Sequence, residues 1–79
     1  MLLKEAIGKR IKEIIANRDI NQYKLSKLTG IAESTISTLL NSDTKTIKLS
    51  TLYDICAGLQ IEFKDFFDCS YLTLNELED

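Results

Sequence analysis

The sequence predicts an all-α domain of five helices, and three observations carry that expectation. Proline is absent and glycine occurs only three times in 79 residues, so little interrupts a helical backbone. Apolar residues recur at spacings of three and four along most of the chain, the period of helices with one buried face. Gly30 falls between two short stretches of that pattern, where a tight turn between helices is needed.

Leu3, Ile7, Ile11, Ile14 and Ile15 form a single apolar stripe, with Lys4, Lys9, Arg10 and Lys12 on the other faces. A first helix is therefore expected from about Leu2 to Arg18. A second, near 22–29, turns Leu25 and Leu28 inward. Asn21 precedes it as an N-cap, because its side-chain oxygen can accept from one of the unpaired first amides. A third, near 32–41, carries Ile36, Leu39 and Leu40 on one face. Asn41 is expected to close it, asparagine being the usual non-glycine choice for a left-handed terminal residue. Ser42 to Lys48 is polar and threonine-rich and reads as a loop.

A fourth helix, about 49–58, buries Leu49, Leu52, Ile55 and Cys56 and ends near Gly58 or Leu59. Glu62 opens a short fifth helix carrying Phe63, Phe66 and Phe67. The tail alternates Tyr71, Leu72, Leu74 and Leu77 with polar residues, and Thr73 and Glu76 fit a capping box. Either another helical turn or an extended strand is expected there. The expected core comprises Ile11, Ile14, Ile15, Leu25, Leu28, Ile36, Leu39, Leu40, Leu52, Ile55 and Phe66. Residues 1–68 read as one domain and 69–79 as a C-terminal tail available for dimerisation, with no repeat or interdomain linker.

Composition narrows the class. Hydrophobic residues make up 44% and charged residues 28%, a globular balance. No apolar run approaches the roughly 20 residues of a membrane span, and no export signal is evident, so a cytoplasmic protein is expected. With no histidine and two cysteines, Cys56 and Cys69, thirteen positions apart, neither a zinc motif nor a disulfide framework is expected. No cofactor is implied. There is no Gly-rich phosphate loop and no acid pair that so small a bundle would enclose, so an enzyme is not expected.

The formal net charge is −2, but it is unevenly distributed. Residues 1–48 carry net +4 and residues 49–79 net −6. That asymmetry suits a polyanion on one side of the fold and not the other.

The segment 22–41, QYKLSKLTGIAESTISTLLN, thus has the caps, glycine turn and apolar register of a helix-turn-helix. Around it stand GKRI (Gly8–Ile11), Asn21-Gln22 followed by Leu25, LTGI (Leu28–Ile31), STIS (Ser34–Ser37), Asn41, LSTLYDI (Leu49–Ile55) and a closing I-x-F-x-x-FF. Together these motifs resemble the lambda-repressor/Cro-like family, the xenobiotic-response-element type of bacterial and phage regulators, over about Ile7 to Phe67.

The resemblance implies a five-helix DNA-binding domain whose third helix lies in the major groove of double-stranded DNA. Carried onto this chain, Glu33, Ser34, Thr35, Ser37 and Thr38 would face the bases. Gln22 and Asn41 would hold phosphates, with Lys45 and Lys48 following the backbone from the next loop. Helix N-termini favour phosphate through their free amides and dipole. The implied function is a transcriptional repressor acting on a palindromic operator as a homodimer. With about a dozen residues after the fifth helix, control by protein level, by a partner protein or by competition at the operator is expected rather than a ligand-sensing domain. The excess of apolar residues near the C-terminus places the dimer interface at Phe63, Phe67, Tyr71, Leu72 and Leu74.

Three departures qualify the resemblance. The groove face of the third helix has no Arg, Lys, Asn or Gln, the side chains that fork onto guanine or adenine. Ile15 and Leu40 stand where many relatives pair an Arg with a Glu, an exchange of ion pair for apolar contact that is often neutral or stabilising. Ala32 stands where a Ser or Thr commonly caps the third helix. The hydroxyl-only recognition helix leaves a competing reading: a protein-interaction module, or an antitoxin acting mainly through a protein partner, that keeps the fold with weak DNA binding.

Overall fold

The computed structural model describes residues 1–79 and contains five helices and no strands: α1 (Leu3–Asn17), α2 (Gln22–Thr29), α3 (Glu33–Leu40), α4 (Leu49–Leu59) and α5 (Phe63–Phe66). α1 packs on α3, α2 packs on both α3 and α4, and α5 closes against α4. Ile7, Ile11, Ile14 and Ile15 from α1 meet Leu25, Ile36, Leu39, Leu40, Leu52, Ile55, Leu59 and Phe66 in one buried cluster with Cys56. Ile15 and Leu40 both lie in it, on packed helices, as an apolar exchange for an ion pair requires.

Glycine serves the crossings of these helices. A Cβ on Gly8 would lie 2.7 Å from the Leu39 carbonyl oxygen, and one on Gly58 would lie 2.7 Å from that of Leu28. Only a hydrogen at those two positions lets α1 sit on the end of α3 and α4 on the end of α2.

Three helix ends are closed by residues other than glycine. Asp19, Ser42 and Gln60 adopt φ of 56°, 58° and 55°. After each, the chain makes the paired bonds of a Schellman motif. Ile20 N donates to Ile15 O at 3.0 Å, Asp43 N to Thr38 O at 3.0 Å, and Ile61 N to Cys56 O at 2.9 Å. Ile20 and Ile61 then tuck against the core, the hydrophobic contact that accompanies this cap.

Several expectations need correction. Asn41 is not left-handed: its φ is −92°, and the left-handed residue is Ser42, one position later. Leu28 is 42% exposed, not core. Three residues advance a helix by about 300°, so Leu28 sits off to one side of Leu25. At Gly58, α4 comes against the Leu28 carbonyl and the Thr29 methyl. Leu49 is 74% exposed although Leu52 is buried, because three residues advance the helix by about 300° and set Leu49 to one side of the buried stripe.

The tail is neither helix nor strand. Two hydrogen-bonded turns form, one where Leu72 N donates to Cys69 O at 3.4 Å and one where Glu76 N and Leu77 N both donate to Thr73 O at 3.1 Å. It lies back along α1: the Tyr71 hydroxyl donates to Glu13, Lys9 Nζ stands 4.4 Å over the Tyr71 ring, and Leu72 packs against the core. Its acidic end meets the start of α1, where Leu3 N donates to Asp79 Oδ1 at 2.8 Å. Burial and the Glu13 carboxylate together hold the Tyr71 phenol well above its ordinary pKa.

Candidate nucleic-acid interface

The turn between α2 and α3 is fixed by its own side chains. Gly30 takes φ 77°, and its N–H donates to Ser26 O at 2.9 Å. The Ser26 hydroxyl reaches forward to Ile31 O at 2.6 Å. Thr29 Oγ1 donates back to Leu25 O at 2.8 Å while accepting from Ile31 N at 3.2 Å. At the other end of α2, Asn21 Oδ1 accepts from Lys24 N at 2.9 Å, the expected N-cap. These bonds tie the end of α2 to the start of the turn that leads into α3.

α3 is divided cleanly by burial. Ile36, Leu39 and Leu40 are inside, Glu33, Ser34 and Thr35 are exposed, and Ser37 and Thr38 are half-buried at the edge. Ser34, Ser37, Thr38 and Asn41 form a polar ridge whose members bond to one another at helical spacing. Thr38 Oγ1 donates to Ser34 O at 3.0 Å, and Asn41 Nδ2 donates to Ser37 Oγ at 3.3 Å. Ala32 supplies no side-chain cap. Glu33 in the first turn instead places a carboxylate near the positive end of the helix dipole.

Gln22 is the first residue of α2 and is half-buried beside the Asn21 cap. Lys45 and Lys48 are exposed in the loop after α3, and Lys48 is the residue preceding α4. Lys24 and Lys27 are exposed on α2, with Lys27 Nζ 5.1 Å over the ring of exposed Tyr23. The expected site residues thus occupy α3, the head of α2 and the following loop.

Two cations of the basic half have other partners, which local pattern does not reveal. Arg10 donates through Nε to Phe66 O at 2.6 Å and through Nη2 to Asp65 O at 2.7 Å. Arg18 donates through Nη1 to Leu59 O. Each guanidinium meets carbonyls at the C-terminus of a helix, where free acceptors and the negative dipole end favour a cation. These two guanidiniums are therefore engaged with backbone carbonyls at the surface, and the lysines carry the remaining positive charge of residues 1–48.

A second surface was only partly foreseen. Tyr53 and Phe63, both exposed, stand with ring centroids 6.4 Å apart. Leu49 and Phe67, one turn away along α4 and past the end of α5, join Leu3 around an apolar hollow of about 180 Å³. Of the expected interface residues, Phe63 and Phe67 belong to this patch. Tyr71 and Leu72 are engaged within the chain, and Leu74 is 92% exposed.

A family model described as the Cro/C1-type HTH DNA-binding domain matches residues 10–71, from the middle of α1 into the tail. No curated protein and no solved structure matches the chain.

Proposed function

Because the chain belongs to the Cro/C1-type helix-turn-helix DNA-binding family, we propose that it is a transcriptional repressor that binds a palindromic operator as a homodimer, with α3 in the major groove. The observation that carries this reading is the division of α3, with an apolar stripe buried and a polar face of exposed and half-buried residues on the other side. In this reading Glu33, Ser34, Thr35, Ser37 and Thr38 face base edges. Gln22, Asn41, Lys45 and Lys48 hold the phosphates on either side.

The proton inventory of the ridge supports a division of labour. Ser37 Oγ accepts from Asn41, so its own proton is free to donate to purine N7 or guanine O6. Glu33, acceptor-only when ionised, selects a cytosine amino group or else repels the backbone. Such contacts discriminate less than an Arg fork, so shape readout and a second half-site supply the rest.

For the dimer we propose the face formed by Leu49, Tyr53, Phe63 and Phe67, with Leu74 as the tail residue free to join it. Tyr71 and Leu72 support the tail from behind. An exposed apolar patch of this kind is the usual mark of an interface, and an isologous pair sets two α3 helices to read half-sites about 34 Å apart.

Selection of bound duplexes from a random pool at moderate salt tests the reading. A two-fold symmetric motif is expected. Enrichment of no sequence, with the apolar face capturing a different protein, would favour the interaction-module reading that the hydroxyl-only ridge leaves open.

A further inference from the structure

The last residues of the chain are bound back onto the first. Glu78 N donates to Met1 O at 3.0 Å, and Leu3 N donates to Asp79 Oδ1 at 2.8 Å. The Met1 amine donates to Glu76 O at 3.1 Å and pairs with Glu78 Oε1 at 3.0 Å. Glu76, Glu78 and Asp79 are all exposed, so their carboxylates are gathered at the start of α1. Asp79 also borders a hollow of about 300 Å³ whose other walls include Lys4, Lys45 and Ile47. The tail thus carries its acids to the loop after α3, the segment that holds Lys45 and Lys48. Lys45 is exposed there and makes no ion pair within the chain, so its charge and that of Asp79 act across the same open space.

We propose that the end of the tail is an autoinhibitory element: it holds the Glu78 and Asp79 carboxylates beside Lys45, where they oppose the approach of DNA phosphate to that lysine. The inference rests on the reading of Lys45 as a phosphate contact and goes beyond it by giving the tail a part in setting affinity. A carboxylate across the hollow lowers the positive potential around the lysine and repels the incoming phosphate. The effect is on strength and not on sequence preference, because neither acid lies on α3 and phosphate contacts do not read bases. A partner that drew the tail off α1 would raise affinity for all duplexes alike.

The test measures binding of the full chain to the duplex it selects, by fluorescence anisotropy over a series of salt concentrations. Glu78→Gln with Asp79→Asn removes both charges and keeps an oxygen that can accept from Leu3 N, so the tail can stay in place. This variant should bind about two- to fivefold more tightly at low salt, the scale of an exposed ion pair. The gain should shrink as salt rises, because screening cuts the reach of exposed charges to about 10 Å at 0.1 M. Asp54→Asn with Glu62→Gln removes the same charge from exposed positions that do not border the hollow, and it should change affinity little. In a Lys45→Ala background the gain from the tail variant should largely disappear.

Equal affinity of the wild type and the tail variant across the salt series would overturn the inference while leaving DNA recognition intact. So would an equal gain from the Asp54 and Glu62 variant, or a gain that persists undiminished without Lys45. A chain that binds no duplex would overturn both this inference and the function on which it rests.

Discussion

Gly8 of α1 faces the carbonyl oxygen of Leu39 so closely that a Cβ at that position would lie 2.7 Å from it. The opposing atom is backbone at the end of α3, not the tip of a flexible side chain. An added methyl must therefore push α1 away from the helix that presents the polar ridge.

The first expected outcome concerns that crossing. Gly8→Ala should destabilise the fold by about 1–3 kcal/mol, the range for overpacking a tight contact, despite alanine's better helix propensity. Gly58→Ala should do the same where α4 meets the Leu28 carbonyl and Thr29. Urea unfolding followed by circular dichroism measures both. An increase in stability at either position would contradict the close approach.

Gln60→Gly should act in the opposite direction. Gln60 holds φ 55° at the end of α4, a region where a side chain costs about 1–2 kcal/mol. Glycine removes that strain but adds unfolded-state entropy, so a net gain of about 0.5–1 kcal/mol is expected. The midpoint of thermal unfolding should rise, with no change in DNA preference.

The cations should separate into two classes by salt dependence. Lys45→Ala and Lys48→Ala are each expected to reduce the slope of log affinity against log salt by about one. Arg10→Met and Arg18→Met should leave that slope unchanged, because both guanidiniums are bound to helix carbonyls. Their effect should fall on stability instead, at about 1–2 kcal/mol apiece. A loss of slope on Arg10→Met would place that side chain at the DNA.

The proposed dimer face is checked by sedimentation. Leu49→Glu and Phe63→Glu alter side chains already exposed in the single chain, so the helical spectrum should persist while the dimer dissociates. A dimer of undiminished tightness in both variants would move the interface elsewhere.

How much of this was legible differs from residue to residue. The isoleucines of α1 and the trio Ile36, Leu39 and Leu40 follow the helical period closely, and all are buried. Asn21 and Gly30 announce the ends of α2 because their chemistry is nearly specific to a cap and a left-handed turn. The ends of α1, α3 and α4 were legible to within a residue, but the left-handed residues that close them, Asp19, Ser42 and Gln60, were not, since none is a glycine and only Asp19 is of a type enriched at positive φ. Leu28 and Leu49 were misplaced because a spacing of three leaves a residue about 60° off the buried stripe, and the pattern alone does not say how wide that stripe is. Arg10 and Arg18 reach carbonyls 56 and 41 positions away, and no sequence window contains both partners. The residues of the candidate site lie where their pattern put them, on α3, the head of α2 and the next loop. The hydrogen bonds that commit Thr38 and Asn41 became visible only with side chains in place.

The most direct test of α3 as the reading element compares the sites selected from a random duplex pool by three forms of the chain. These are the wild type, the double variant Ser34→Ala with Thr38→Ala, and the double variant Gln22→Ala with Asn41→Ala. Base contacts specify, whereas phosphate contacts position. The Ser34 and Thr38 variant should therefore select a different motif at the contacted positions, with the two-fold spacing retained. The Gln22 and Asn41 variant should lose affinity across duplexes roughly alike, and its preferred motif should stay closer to that of the wild type. An unchanged motif from the Ser34 and Thr38 variant would contradict the placement of α3 in the major groove.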